Sequence, residues 1–234
     1  DREKLEVLAS LFVEDLVDVV FGLLEGSVPS KGRISHAFAH IFATIMELDP
    51  PRAVRLVMQL LRHEEYETAQ LGSGLLASVA KADPAYLMEQ IGFAMLSKDR
   101  NLNFIIRKLP IAILPSAVVV DWLKQHGVEG ARVLARHVPP PYVDNGAPQL
   151  NPITEFVMTN FGDDDAVYAS FVASLHSGGV FTGPISDWMM LGVALAEHFV
   201  AFPIPAIRKW ARSEVEYGTQ QAEQFRQQEE EEGF

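Results

Sequence analysis

An apolar pattern opened by Asp-Pro occurs twice in this chain at a shift of 34 positions. Leu48-Asp49-Pro50 precedes Ala53, Val54, Val57, Leu60 and Leu61, and Ala82-Asp83-Pro84 precedes Leu87, Met88, Ile91, Ala94 and Met95 at the same offsets. The match extends to a following helix, where Leu71, Leu75 and Val79 align with Ile105, Leu109 and Ile113. Pro110 interrupts this second copy and is expected to shorten or kink its helix. A weaker third copy starts at Leu114-Pro115-Ser116, carries Val118, Val119 and Trp122, and predicts a partner helix over 128–137. A fixed period of this length is the signature of a repeat architecture, in which a unit cannot bury its own apolar face and must stack on a neighbour.

The rest of the chain also reads as helical. Apolar residues at spacings of three and four predict helices over 3–25 and about 33–48, then over 51–62 and 66–81. Beyond 137, Val138 to Asn151 is rich in proline and contains the turn pair Asn145-Gly146, so a loop is expected. Further helices are expected over 153–161, over 164–176 with the Asp163–Asp165 run at its start, and over 185–200. A Gly-rich bend, Ser177–Gly183, precedes that last one. A final helix should follow Pro203-Ile204-Pro205, pass through Trp210 and end near Glu230. Alternating strand patterns are almost absent. The expected fold is all-α, an α-solenoid of about 12 helices stacked as antiparallel hairpins in one domain, 1–234. Regular hairpins would fill 1–137, the Pro-rich loop 138–151 and an irregular helical layer 152–234.

Composition narrows the function classes. The 234 residues carry a formal net charge of −12, which disfavours non-specific nucleic-acid binding because that depends on Lys and Arg neutralising phosphates. The absence of cysteine excludes disulfides and thiolate chemistry and fits a reducing, cytoplasmic setting. No signal peptide is recognisable at Asp1-Arg2-Glu3-Lys4, and the apolar run Trp188 to Phe202 contains Glu197 and His198 and is too short to span a bilayer. The lack of a starting Met suggests a piece of something longer.

Paired helices opened by Asp-Pro resemble the HEAT/armadillo class of helical repeats. Ala53-Val54-Arg55 and Ile207-Arg208-Lys209-Trp210-Ala211 are similar to the Val-Arg-x-x-Ala run of that class, although the first lacks the Ala. The resemblance covers about 48–137 and, more weakly, 184–230. Tetratricopeptide repeats share the period, but their Trp, Gly and Tyr positions are not matched in register. The final segment resembles the tails of large bacterial multidomain proteins that place helical repeats after an enzymatic or nucleotide-binding module. That resemblance implies a sensing or scaffolding region whose chemistry lies elsewhere.

Several residues could carry chemistry. His36 and His40 stand one helical turn apart, as zinc ligands on a helix do, but no glutamate follows His36 and no third ligand is evident. Asp163-Asp164-Asp165 could hold a hard cation, but three acids at a helix start are better explained by capping and the favourable helix dipole. Glu197 and His198 are adjacent on a helix and so do not face each other. Leu71-Gly72-Ser73-Gly74 lacks the residues of a phosphate loop and reads as a close helix contact. Pro139-Pro140-Pro141-Tyr142 matches the Pro-Pro-x-Tyr ligand of WW domains, or forms a stiff connector. Arg208, Lys209 and Arg212 around Trp210 form the candidate partner-binding group, because Trp and Arg recur among binding hot spots, although the reading with more weight packs Trp210 in the core and leaves the three cations solvated. No catalytic, metal or cofactor residue is assigned. The reading is a non-catalytic scaffold for a protein partner. The alternative is a nucleic-acid-binding repeat with Arg52, Arg55, Arg62, Lys98, Arg100, Arg107 and Lys108 along one surface.

Overall fold

The computed structural model describes residues 42, 43, 45–62, 66–97, 111–176 and 183–232. The helix expected over 3–25, most of the one over 33–48, Ile105 and Leu109 of the second copy, and most of the bend over 177–183 lie outside them. With 78% helix and 4% strand the class is all-α. The described residues fall into two compact units divided near residue 118.

The first unit holds α1 (Pro50–Arg62), α2 (Tyr66–Ala82) and α3 (Pro84–Leu96). Both Asp-Pro openings act alike. The Asp49 carboxylate accepts the Arg52 backbone N–H at 3.2 Å, and the Asp83 carboxylate accepts that of Tyr86 at 3.1 Å. Each carboxylate reaches an amide of the first helical turn, at Arg52 sharing it with the Asp49 carbonyl at 3.0 Å, and the following proline has no N–H to satisfy. The apolar positions that match at the 34-residue shift are buried in both helices, each at most 2% exposed. α1 packs on α2, and α3 touches both. Gly72 permits the first contact, since a Cβ there would lie 3.1 Å from Leu60 and Leu61 side-chain atoms. Gly74 faces open space, so only the first glycine of Gly72-Ser73-Gly74 has the packing role expected of both.

The second unit begins within α4 (Ser116–Leu134), where Gly127 takes φ 57° and ψ −140° and breaks the helix into two segments. A side chain would be strained in that backbone conformation. The break falls where the sequence pattern separates the Trp122 helix from its partner over 128–137. The stretch over 138–151 is not a plain loop. Tyr142–Asp144 (β1) and Ala147–Gln149 (β2) pair antiparallel around Asn145 and Gly146, whose φ values are 50° and 78°. Positive φ at both central residues is the two-residue turn that Asn-Gly favours, and it matches the twist of paired strands.

Four helices complete this unit: α5 (Pro152–Phe161), α6 (Asp165–Leu175), α7 (Ile185–Glu197) and α8 (Pro205–Glu232). Asn151 caps α5 through the Ile153 N–H. Buried Thr154 donates to the Pro139 carbonyl at 2.6 Å, tying the hairpin's base to that helix. α7 and α8 run antiparallel, with Ser186 beside Glu229 and Val193 beside Gly218. A Cβ on Gly218 would sit 2.8 Å from Val193 Cγ2, closer than real side chains approach.

Asp164, and not the whole Asp163–Asp165 run, organises the start of α6. It accepts the Ala166 and Val167 amides at 3.1 Å each, and Arg132 of α4 grips the same carboxylate through Nε at 3.2 Å and Nη2 at 2.7 Å. The Arg132 hydrogen bond, backed by the Val167 amide, holds the Asp164 pKa down at about 2. A depressed carboxylate stabilises the fold above its unfolded pKa, and that contribution is lost as pH falls from about 4 through about 2. Acid unfolding of Arg132→Ala should therefore begin at higher pH than that of the native chain, as followed by circular dichroism. In urea at neutral pH, Asp49→Ala and Asp83→Ala should each cost about 1 kcal/mol, as lost N-caps do. Unequal costs would separate the two openings.

Candidate functional site

In the second unit, aromatic burial fixes the geometry around Trp210. Its ring lies 6.2 Å from Phe171 in an edge arrangement and 5.9 Å from Phe199, which in turn packs 5.2 Å from Phe202. Trp210 is 3% exposed, and its indole N–H is buried without a hydrogen-bond partner. An unpaired buried donor costs about 1–3 kcal/mol, whereas removing a buried Trp side chain costs about 3–5, so burial wins.

Trp210 thus takes the core placement to which its sequence setting gives more weight than to a surface cluster. Arg208 turns back along the chain and donates to the Phe202 and Pro203 carbonyls at 2.8 and 2.7 Å. Those carbonyls belong to the turn between α7 and α8, so Arg208 braces that turn. Lys209 is exposed, with its ammonium 4.2 Å from the ring centroid of Tyr168. Burial raises the Tyr168 pKa, and a hydrogen bond with Ser213 offsets some of that rise. Arg212 is exposed. The four residues share a helix but not a face.

Trp210 instead contributes to the wall of a cavity of about 270 Å³. From α7 the wall takes Trp188, Met189, Leu191, Gly192 and Leu195; α8 adds Glu214, the end of α6 adds Leu175 and His176, and Pro140 completes it. The wall is mostly apolar and carries one ion-pairing group. His176 Nε2 lies 3.2 Å from Glu214 Oε2, the histidine side chain 47% exposed and the glutamate only 15%. Glu214 Oε1 rests over Gly192, 3.2 Å from where a Cβ would stand. Trp188, His176 and Glu214 are not evident as a group in the sequence because they come from three separate helical segments.

Glu229 positions α7. Its carboxylate accepts the Ile185 N–H at 2.6 Å, the Ser186 N–H at 3.3 Å and the Ser186 hydroxyl at 2.5 Å. The Ser186 hydroxyl lowers the Glu229 pKa. Glu229, near the end of α8, thus caps the start of α7 across 43 positions. Glu230 and Glu231 are exposed or nearly so.

The remaining candidates resolve as follows. His36, His40, Lys98, Arg100, Arg107 and Lys108, with the Arg62 side chain, lie outside the described residues. Arg52 reaches back to Asp49 at 3.9 Å, and exposed Arg55 donates to the Tyr86 hydroxyl at 3.3 Å. Glu197 and His198 are both exposed at the end of α7, where His198 closes the helix. Pro141 is buried and Tyr142 begins β1, so this side of Pro139–Tyr142 is held by the fold. Among the described residues no three His, Asp or Glu side chains are placed to hold a metal ion, and no helix is long and apolar enough to cross a membrane.

Comparison with known proteins finds no matching family model, no similar curated protein and no similar solved structure. Glu229→Ala should speed amide hydrogen exchange in the first turn of α7 while leaving α1 to α3 unchanged. Equal protection in the variant would show that α7 does not depend on this cap.

Proposed function

We propose that this chain is a non-catalytic helical-repeat scaffold or sensor region, a HEAT-like α-solenoid of about 12 helices within a larger cytoplasmic protein, that holds a protein partner. The observation that carries the reading is the common register of α1 and α3. Their Asp-Pro caps and their buried apolar positions coincide at a shift of 34, as expected where successive units lend one another an apolar face. α3 also leaves large apolar side chains in water, Phe93 at 66% and Leu96 at 38% exposure. Such residues are energetically idle in an isolated chain and become useful when a partner covers them.

A protein partner is favoured over nucleic acid by the net charge of −12 and by the intramolecular partners that Arg52 and Arg55 already have. A photoreactive phenylalanine analogue in place of Phe93, expressed in the producing organism, tests the reading. Discrete protein adducts are expected, and should be absent when the analogue replaces exposed Lys124 of α4. Adducts made mainly with RNA or DNA would favour the alternative, and no adduct at either position would end the scaffold reading for this face.

A further inference from the structure

The cavity of the second unit has a chemistry that a scaffold does not require. We infer that it is a binding site for a small organic cation with an apolar body, such as an aromatic or alkylated amine. This goes beyond the scaffold reading and does not rest on it. Size points first to an organic occupant. The pocket of about 270 Å³ opens to solvent, and Leu175, Trp188, Met189 and Leu195 form much of its wall, so an occupant that covers this surface removes apolar area from water. An apolar occupant is therefore preferred to solvent.

Charge points to a cation. Glu214 is 15% exposed and stands in the middle of α8, with no helix N-terminus to serve. Among the described residues its ion-pairing neighbour is His176, and no Lys or Arg lies within salt-bridge distance. The His176 imidazole lies 3.2 Å from the carboxylate and, with its side chain 47% exposed, is free to turn into solvent when a ligand ammonium takes its place. An ammonium group would meet a partly desolvated carboxylate in a wall that also carries two indoles, and aromatic systems attract desolvated cations. A carboxylate or phosphate ligand would be repelled by the same wall.

The unpartnered indole N–H of Trp210, a residue of that wall which is 3% exposed, adds a polar handle. The test uses the intact chain and benzyltrimethylammonium, with neutral benzyl alcohol and anionic benzoate as comparisons, followed by tryptophan fluorescence and calorimetry. Saturable binding of the cation is expected, about tenfold tighter than that of the alcohol, with benzoate weaker still. Glu214→Gln should remove that preference, and His176→Ala should keep or improve it by freeing the carboxylate. Leu195→Trp, which fills the cavity and retains Glu214, should abolish binding and guards against a folding defect in the glutamate variant. Equal affinity for the three probes, no saturation by the cation, or unchanged affinity in Glu214→Gln would each overturn the inference.

Discussion

The second unit depends on the close antiparallel approach of α7 and α8. Gly218 allows that approach without rearrangement, since a Cβ there would lie 2.8 Å from Val193 Cγ2 and something would have to shift. Gly192, the neighbour of Val193 on α7, has a parallel role, since the Glu214 carboxylate occupies the volume a larger residue would need. Three consequences follow from this spacing. Trp210 is carried into the aromatic cluster with Phe171 and Phe199, Glu214 is laid against an apolar wall, and Glu229 arrives at the start of α7. Helix packing at short distance is a steric permission first, and dispersion and apolar burial then fix it in place.

What could be read from the sequence was what local periodicity encodes. α1 and α3 were legible because Asp-Pro marks a helix start and the apolar positions recur with the helical period. The starts of α5, α6 and α8 were legible for similar reasons, each with a proline or an Asx residue at its opening. The hairpin was not, because strands of three residues are too short for alternation to show, and only Asn145-Gly146 marked the place. The break at Gly127 was legible only as a boundary between the Trp122 helix and the partner expected over 128–137, since an isolated glycine in a helical pattern is usually tolerated.

The candidate site was harder to see because its residues are far apart in the chain. The core placement of Trp210 was legible: Ile207, Trp210, Ala211, Gly218 and Ala222 are all buried at helical spacings and form the inward face of α8. Read by that periodicity, Trp210 belongs to the core and Arg212 to the solvent side. The role of Glu229 was hidden inside a run of glutamates, where one carboxylate reaches an amide and its neighbours stay in water.

Sorting the carboxylates by what they serve separates one from the rest. Asp49, Asp83, Asp164 and Glu229 each accept backbone amides at the start of a helix, a place where negative charge is favoured by both hydrogen bonding and the helix dipole. Asp164 gains a guanidinium as well. Glu214 has none of these supports: it lies mid-helix, accepts no first-turn amide, and faces apolar groups and an imidazole. Its contact with His176 at 3.2 Å joins the end of α6 to α8, and the cation we propose would offer the same carboxylate a second, positively charged partner.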